Sequence, residues 1–159
     1  MTTKNTDLVA NFEASPQVAN NAAELAGVLR TAHGTVELAA GDSTDNDIVM
    51  LAPIPSNAAV PQLFVGSDTF GGSCTFNVGL YTSAGVVKDE DVFATSVADA
   101  GAMTDLRFEV ADLNTGSKKL WELAGDSTDP GGYFYVALTF DATGGTAGTL
   151  NWNINYIVD

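Results

Sequence analysis

The hexapeptide Ala-Gly-Asp-Ser-Thr-Asp occurs twice in this chain, at positions 40–45 and 124–129. Each copy supplies two carboxylates, two hydroxyls and a glycine. Such side chains could form part of a hydrolase site, a calcium loop or a hydrogen-bonded turn. The choice among these three readings decides whether the chain is expected to do chemistry.

A hydrolase is the least supported reading. The Gly-Asp-Ser triplet is similar to the nucleophile segment of some serine hydrolases, in which a histidine must accept the serine proton. His33 is the only histidine, it precedes both copies, and no Asp-x-x-His segment follows near the C-terminus. The sequence therefore predicts no catalytic residue and no enzymatic activity.

A metal loop is the second reading. Calcium prefers hard oxygen ligands, but neither copy has the carboxylate spacing of an EF-hand loop. A transition-metal site would need several imidazoles or thiolates, and the chain has one histidine and one cysteine, Cys74. We expect no metal and no cofactor, with calcium kept as an alternative for the carboxylates near the two copies: Asp42, Asp45, Asp47, Asp126 and Asp129.

The third reading, a turn, fits both copies best. Asp and Ser side chains bond to backbone N–H groups two residues on, and glycine accepts a left-handed conformation. Each copy also stands between a Glu-Leu-Ala segment and an apolar run, where a sheet protein reverses direction. Trp121 and Trp152 are expected to be core or interface residues, and no nucleotide-binding fingerprint follows Gly71-Gly72 or Gly144-Gly145.

Composition narrows the class of protein further. The chain has 159 residues, 45% of them hydrophobic, and a formal charge of −14. This predicts one ordered domain, and it argues against nucleic acid or an anionic membrane as a partner. The N-terminus lacks an apolar signal-peptide core and the longest apolar run is short, so we expect neither export nor a membrane anchor.

Alternating apolar and polar residues indicate a protein built mainly of β-strands. In residues 150–158 and 133–141 every second residue is apolar, and the glycine-rich segment 141–148 between them predicts an antiparallel hairpin. Five further strands are indicated at 34–39, 48–54, 61–66, 73–82 and 106–111, with prolines and glycines as boundaries. Residues 89–100 and 118–125 carry weak helical signals. The expected fold is an all-β, antiparallel, jelly-roll-like sandwich over residues 31–159.

Residues 1–30 show no sustained period and are expected to form an irregular, partly extended N-terminal arm. One reading has the arm packing on its own sandwich. The other has it ordering against a neighbouring subunit, with Leu8, Val9 and Phe12 as anchors. The candidate interface residues on this second reading are Leu8, Val9, Phe12, Val18 and Leu25.

Three segments carry a resemblance to a known family: "DNDIVMLAPIPSNA" (45–58), "NVGLYTSAGVVKDEDVFATSV" (77–97) and "DPGGYFYVALTFDATGGTAGTLNWNINYIVD" (129–159). They resemble small virion structural proteins of tailed bacteriophages, and the likeness extends from about residue 34 to the end. The resemblance implies a jelly-roll-like protein that decorates or cements the capsid, usually as a homotrimer, and that has no enzymatic residues.

The implied partner is the major capsid protein of the phage head, and the implied location is the capsid exterior of a virion assembled in the host cytoplasm. An arm repeated over many equivalent sites would let modest contacts add up to firm attachment. An alternative from another class is a carbohydrate- or receptor-binding sandwich module of a tail or fibre component.

Overall fold

The computed structural model describes residues 5–21, 24–99, 103–109 and 115–158. Eight strands dominate it, with two short α-helices and one turn of 3-10 helix at Leu106–Glu109. The helices are α1 (Asp7–Glu13) and α2 (Leu120–Leu123). The strands are β1 (Val28–Leu38), β2 (Ile48–Pro55), β3 (Ala58–Ser67), β4 (Thr75–Tyr81), β5 (Val87–Ala98), β6 (Thr104–Asp105), β7 (Tyr133–Ala142) and β8 (Gly148–Val158).

The strands form two four-stranded antiparallel sheets, ordered β1-β8-β3-β6 and β2-β7-β4-β5. The first strand pairs with the eighth, the second with the seventh, the third with the sixth and the fourth with the fifth. This nested pairing is the topology of an eight-stranded jelly roll. The predicted all-β jelly-roll-like sandwich is confirmed.

The core lies between the two sheets and is supplied by the alternate residues that the sequence pattern marked. On β7 the inward residues are buried, and on β8 Leu150 and Ile154 are fully buried while Trp152 packs partly buried against the same core. Phe140 meets Phe70 edge to face, with ring centroids 5.6 Å apart. These aromatic and aliphatic side chains join the sheets through apolar burial and close packing.

The predicted hairpin between the last two strands is wrong. β7 pairs with β2 and β4, whereas β8 pairs with β1 and β3 in the opposite sheet. Both strands have one strongly apolar face, and such faces can be buried by stacking across the sandwich as well as by pairing side by side. The connecting loop is held by other loops, since Gly144 donates its N–H to Ser43 O and Thr146 donates to Phe70 O.

The prolines bound the strands only in part as predicted. β2 ends at Pro55, as expected, but Pro53 lies within it. β2 is an edge strand, so the missing N–H of Pro53 costs no sheet hydrogen bond on the open side. Pro61 lies within β3, where the register with β8 shifts between Ala59 and Gln62. A bulge accommodates a residue that cannot donate.

Two segments have a different structure from the one predicted. The strand predicted at 106–111 is a 3-10 turn over Leu106–Glu109, preceded by the two-residue β6, and residues 110–111 lie outside the described residues. The weak helical signal at 89–100 is wrong, because residues 89–98 belong to β5; residue 100 lies outside the described residues. The weak helical signal at 118–125 corresponds to α2 (Leu120–Leu123), which buries Leu120 and Leu123.

The register between β5 and its neighbour β4 is interrupted. Between the pairs Val78↔Ala94 and Leu80↔Asp89, β4 advances by two residues and β5 by five. The extra residues of β5 cross over β4, and a Cβ on Gly79 would stand 2.5 Å from the Cα of Glu90. On the same strand, Tyr81 is buried and its hydroxyl bonds the Thr139 hydroxyl.

The N-terminal residues form a small separate structure before the sandwich. α1 occupies Asp7–Glu13, where the sequence indicated no regular element, and none of its residues is buried. β1 begins at Val28, so the last residues of the predicted arm are already in a strand. Residues 1–4 and 22–23 of the predicted arm lie outside the described residues. Within the described part of the chain, the structure shows no helix with the length and hydrophobicity to cross a lipid bilayer.

Candidate interaction surface

The first Ala-Gly-Asp-Ser-Thr-Asp copy is a hydrogen-bonded turn between β1 and β2, as predicted. Asp42 Oδ2 accepts the N–H of Ala39 at 2.9 Å. Asp47 Oδ2 accepts both the N–H of Thr44, at 2.9 Å, and the Thr44 hydroxyl. The hydroxyl and N–H of Thr44 hold the pKa of Asp47 below its ordinary value, because both bonds favour the charged carboxylate.

The serine of this copy is an anchor for another loop. Ser43 is fully buried, and its carbonyl accepts the N–H of Gly144 at 2.8 Å. Its Oγ accepts the N–H of Gly145 at 3.3 Å. His33, in contrast, is exposed on β1 opposite Asn153. The serine and the histidine are therefore not arranged as a nucleophile and its base.

The second copy is also a turn, with different partners. Asp129 Oδ1 accepts the Ser56 hydroxyl at 2.6 Å and the N–H of Gly131 at 2.8 Å, and these bonds lower the pKa of Asp129. Asp126 donates its backbone N–H to Trp121 O at 3.0 Å, and its carboxylate pairs with Lys88 Nζ at 3.0 Å. This turn therefore ties α2 to the β2–β3 and β4–β5 regions.

The side chains of Cys74 and Arg107 are both buried. Cys74 is buried, and desolvation, followed by the charges of Asp99 and Asp141, raises the pKa of its thiol to about 11. A thiol of such high pKa is a poor nucleophile at neutral pH. Arg107 is buried over the Phe93 ring at 5.2 Å, and burial lowers its pKa. Within residues 5–21, 24–99, 103–109 and 115–158, no three acidic, His or Cys side chains are grouped as metal ligands.

The tryptophans do not form an exposed aromatic platform. Trp121 and Trp152 are both partly buried against the main core. Trp152 lies beside Gly34 on the neighbouring strand, where a Cβ would stand 3.0 Å from the indole ring. Their placement agrees with the expectation that they are core residues.

Exposed apolar side chains are concentrated near the start of the chain. Of the large hydrophobics that the structure exposes, half belong to residues 9–29, and they include Phe12 at 66% exposed and Val28 at 67%. Among the five candidate interface residues, Leu8 is half-buried and the other four are exposed. Phe12, Val18 and Leu25 together line a groove of about 330 Å³. We call Val9, Phe12, Val18 and Leu25 the apolar arm surface.

The segment that carries this surface is folded on itself. Asn20 donates from Nδ2 to Leu8 O at 3.1 Å, and Asn11 donates from Nδ2 to Asn20 Oδ1 at 2.9 Å. Val18 donates its N–H to Asn11 O at 3.1 Å. Among the described residues, the hydrogen bonds of residues 5–20 all end within that segment. The arm is thus joined to the sandwich through the chain leading into β1.

Sequence reasoning missed a second apolar surface. Ile48 and Met50 on β2 are exposed, and together with Leu38 they line a groove of about 370 Å³ beside the first hexapeptide turn. The run "DIVMLAPI" predicts a strand but does not show which of its faces is buried. Its alternation is irregular, because the register with β7 shifts between Met50 and Ala52.

Comparison with known proteins finds similar folds among solved structures. No family model and no curated protein matches this chain. Solved structures do match, and two of them each align over 84% of this chain and 86% of the other. The "Capsid of Ralstonia phage GP4" matches with a TM-score of 0.60 at 14% identity, and the "Cyanophage Pam1 capsid asymmetric unit" with 0.51 at 15% identity.

This chain shares its fold with chains of two phage capsids. At such low identity the likeness concerns the fold, and at that level it confirms the predicted resemblance to phage virion proteins. The common fold extends over most of both chains, so it includes the sandwich as a whole rather than one hairpin.

Proposed function

We propose that this protein is a virion structural protein of a tailed bacteriophage and that it decorates, or cements, the assembled head shell. The observation that carries the proposal is the jelly roll shared, over 84% of the chain, with chains of two phage capsid structures. In this role the protein acts by shape and adhesion and is not an enzyme. The placement of Ser43, His33 and Cys74 supports that part of the proposal.

The sandwich and the arm have separate tasks in this proposal. The sandwich, described from β1 to β8, is a rigid body with a continuous apolar core. The apolar arm surface lies before it and is the part that contacts the shell, with the major capsid protein as partner. Residues 1–30 act as the attachment arm, and residues 31–159 as the body.

In this proposal the same attachment to the shell is made by each symmetry-related copy of the protein. We propose a homotrimer on the exterior of the capsid, added in the host cytoplasm after the shell assembles. Each contact can be modest, because several linked contacts act at a high effective concentration. The formal charge of −14 keeps the protein from binding nucleic acid or anionic lipid and leaves shell contacts to apolar and polar groups.

Binding to heads tests this role directly. Heads from a phage that lacks this gene are mixed with purified protein, and bound copies are counted after sedimentation. We expect saturable binding at a fixed ratio to the major capsid protein and a higher temperature of head disruption. Failure to bind heads, together with a signal on a glycan array, would favour the alternative of a carbohydrate- or receptor-binding module of a tail component.

A further inference from the structure

The sandwich has four edge strands, and three of them are protected against pairing with another strand. β2 contains Pro53, Pro55 and a register shift. β5 is displaced from β4 by its extra residues and carries the charged run Lys88–Asp91. β6 has only two residues. Proline, bulges, charge and shortness are the usual means by which an edge is kept from adding strands.

The fourth edge strand, β1, has none of these features. It is 11 residues long, contains no proline, and pairs with β8 without any register shift. No backbone hydrogen bond joins its other edge to any residue of the described ranges. A long, regular edge of this kind presents a row of free N–H and C=O groups that can extend the sheet.

The charge of β1 favours a second copy of the same chain as its partner. The protein carries 20 acidic residues, but Val28–Leu38 contains one, Glu37, with Arg30 and His33 as its other ionisable side chains. Two acidic molecules repel over most of their surfaces. Along β1 few like charges would oppose one another, so this edge allows two copies to approach closely.

The apolar surfaces at the two ends of β1 are also self-complementary. Val28 and Leu29 are exposed at its start. The groove lined by Leu38, Ile48 and Met50 lies at its end. When two β1 strands run antiparallel, the start of each lies beside the end of the other, so each copy's apolar start meets the other's groove.

We propose that two copies of this protein pair through β1 about a two-fold axis, forming a continuous eight-stranded sheet. Full overlap of Val28–Leu38 centres the axis on His33. Thr31 of one copy then faces Thr35 of the second, and Val28 faces Leu38. The contact is isologous, since each copy contributes the same surface. It does not depend on the virion role, and a three-fold contact elsewhere would convert pairs into hexamers.

Two variants test the pairing by sedimentation equilibrium. The wild-type protein is expected to be a dimer, or a hexamer if trimers also form. Thr31→Lys combined with Thr35→Lys sets lysines opposite each other and is expected to halve that mass while the circular dichroism spectrum stays unchanged. Ser83→Lys with Thr128→Lys adds the same charge at exposed turn positions and should leave the mass unchanged.

A cysteine at the axis tests the register. Directly opposed residues of antiparallel strands have Cα atoms about 4.5–5.5 Å apart, which suits a disulfide. His33→Cys is expected to form a covalent dimer on mild oxidation, and Glu37→Cys, which would face Leu29, is not. A monomeric wild-type protein, a mass unaffected by the lysines, or the absence of the His33→Cys crosslink would overturn the proposal. Because these readouts need no heads, they are separate from the test of the virion role.

Discussion

Gly79 on β4 lies directly beneath Glu90 on β5: a Cβ added to Gly79 would stand 2.5 Å from the Cα of Glu90. Real Cβ atoms do not approach other heavy atoms so closely, and the obstacle is backbone rather than a movable side chain. The position therefore needs glycine for space. β5 can cross its neighbour at this point only because Gly79 has no side chain.

Gly79→Ala is expected to destabilise the protein strongly. The added methyl group must push β5 away from β4, and overpacking of this kind costs about 1–3 kcal/mol or more. Chemical denaturation measures the loss. Gly116→Ala is the matched control, because no atom of the described residues lies within 4 Å of a Cβ at that exposed turn. Equal stabilities for the two variants would mean that β5 does not cross Gly79.

The three-phenylalanine cluster should dominate the stability of the sandwich. Phe140 is fully buried and meets Phe70 and Phe76 edge to face, at 5.6 and 6.4 Å between ring centroids. Phe140→Ala leaves a large cavity and is expected to cost about 3–5 kcal/mol. Tyr133→Ala, at the exposed start of the same strand, should change the free energy of unfolding by less than about 1 kcal/mol.

Two aspartates are expected to respond to pH in opposite directions. Burial, and then the side-chain hydrogen bond with Asp91, raises the pKa of Asp89, so the charged form of Asp89 lowers stability. Asp89→Asn should therefore raise the melting temperature at pH 7. The gain should vanish as the pH falls below the unfolded value of 3.8, where the wild-type carboxyl is protonated in both states.

Replacing Asp47 is expected to have the opposite effect on the melting temperature. Its pKa is lowered by Thr44, so its charged form stabilises the fold above pH 3.8 and the contribution is lost as the pH falls through the folded pKa. Asp47→Asn should lower the melting temperature at pH 7 and have little effect in acid. Melting curves of both variants from pH 2.5 to 7 measure the two trends, and shifts of the same sign would contradict this assignment.

The apolar arm surface should be needed for shell binding and dispensable for folding. Phe12→Ser with Leu25→Ser removes two exposed apolar side chains from the shared groove. We expect an unchanged melting temperature and at least a tenfold weaker binding to heads, since about 1.4 kcal/mol corresponds to a factor of ten. Val86→Ser with Val87→Ser changes two equally exposed residues of the β4–β5 region and serves as the control. Undiminished head binding by the arm variant would exclude the arm as the attachment surface.

The local sequence pattern predicts which segments form strands better than it predicts which strands pair with each other. The alternation at Phe134–Phe140 and Leu150–Ile154 predicts two half-buried strands, and both exist. It does not state whether two such strands pair or stack, because either arrangement buries the same faces. The jelly-roll class followed from the number of strands and from the resemblance, whereas the sheet assignment of β7 and β8 did not.

The hexapeptide turns show what short motifs can predict. Asp and Ser at 42–43 and at 126–127 indicated reversals, and the structure has reversals there. The pattern could not indicate that Ser43 anchors the loop at Gly144, about 100 positions away, because that contact arises from the topology. The open edge of β1 was missed for the same reason: whether a strand lies at an edge depends on its neighbours.

A symmetric reconstruction of virions with and without this gene is the most direct test of the proposed role. If the protein decorates the head, wild-type particles will have extra density at equivalent positions on the outer shell, and the jelly roll will fit that density with its N-terminal residues against the capsid lattice. Identical shells in the two particles, or density for this chain confined to the tail, would contradict it.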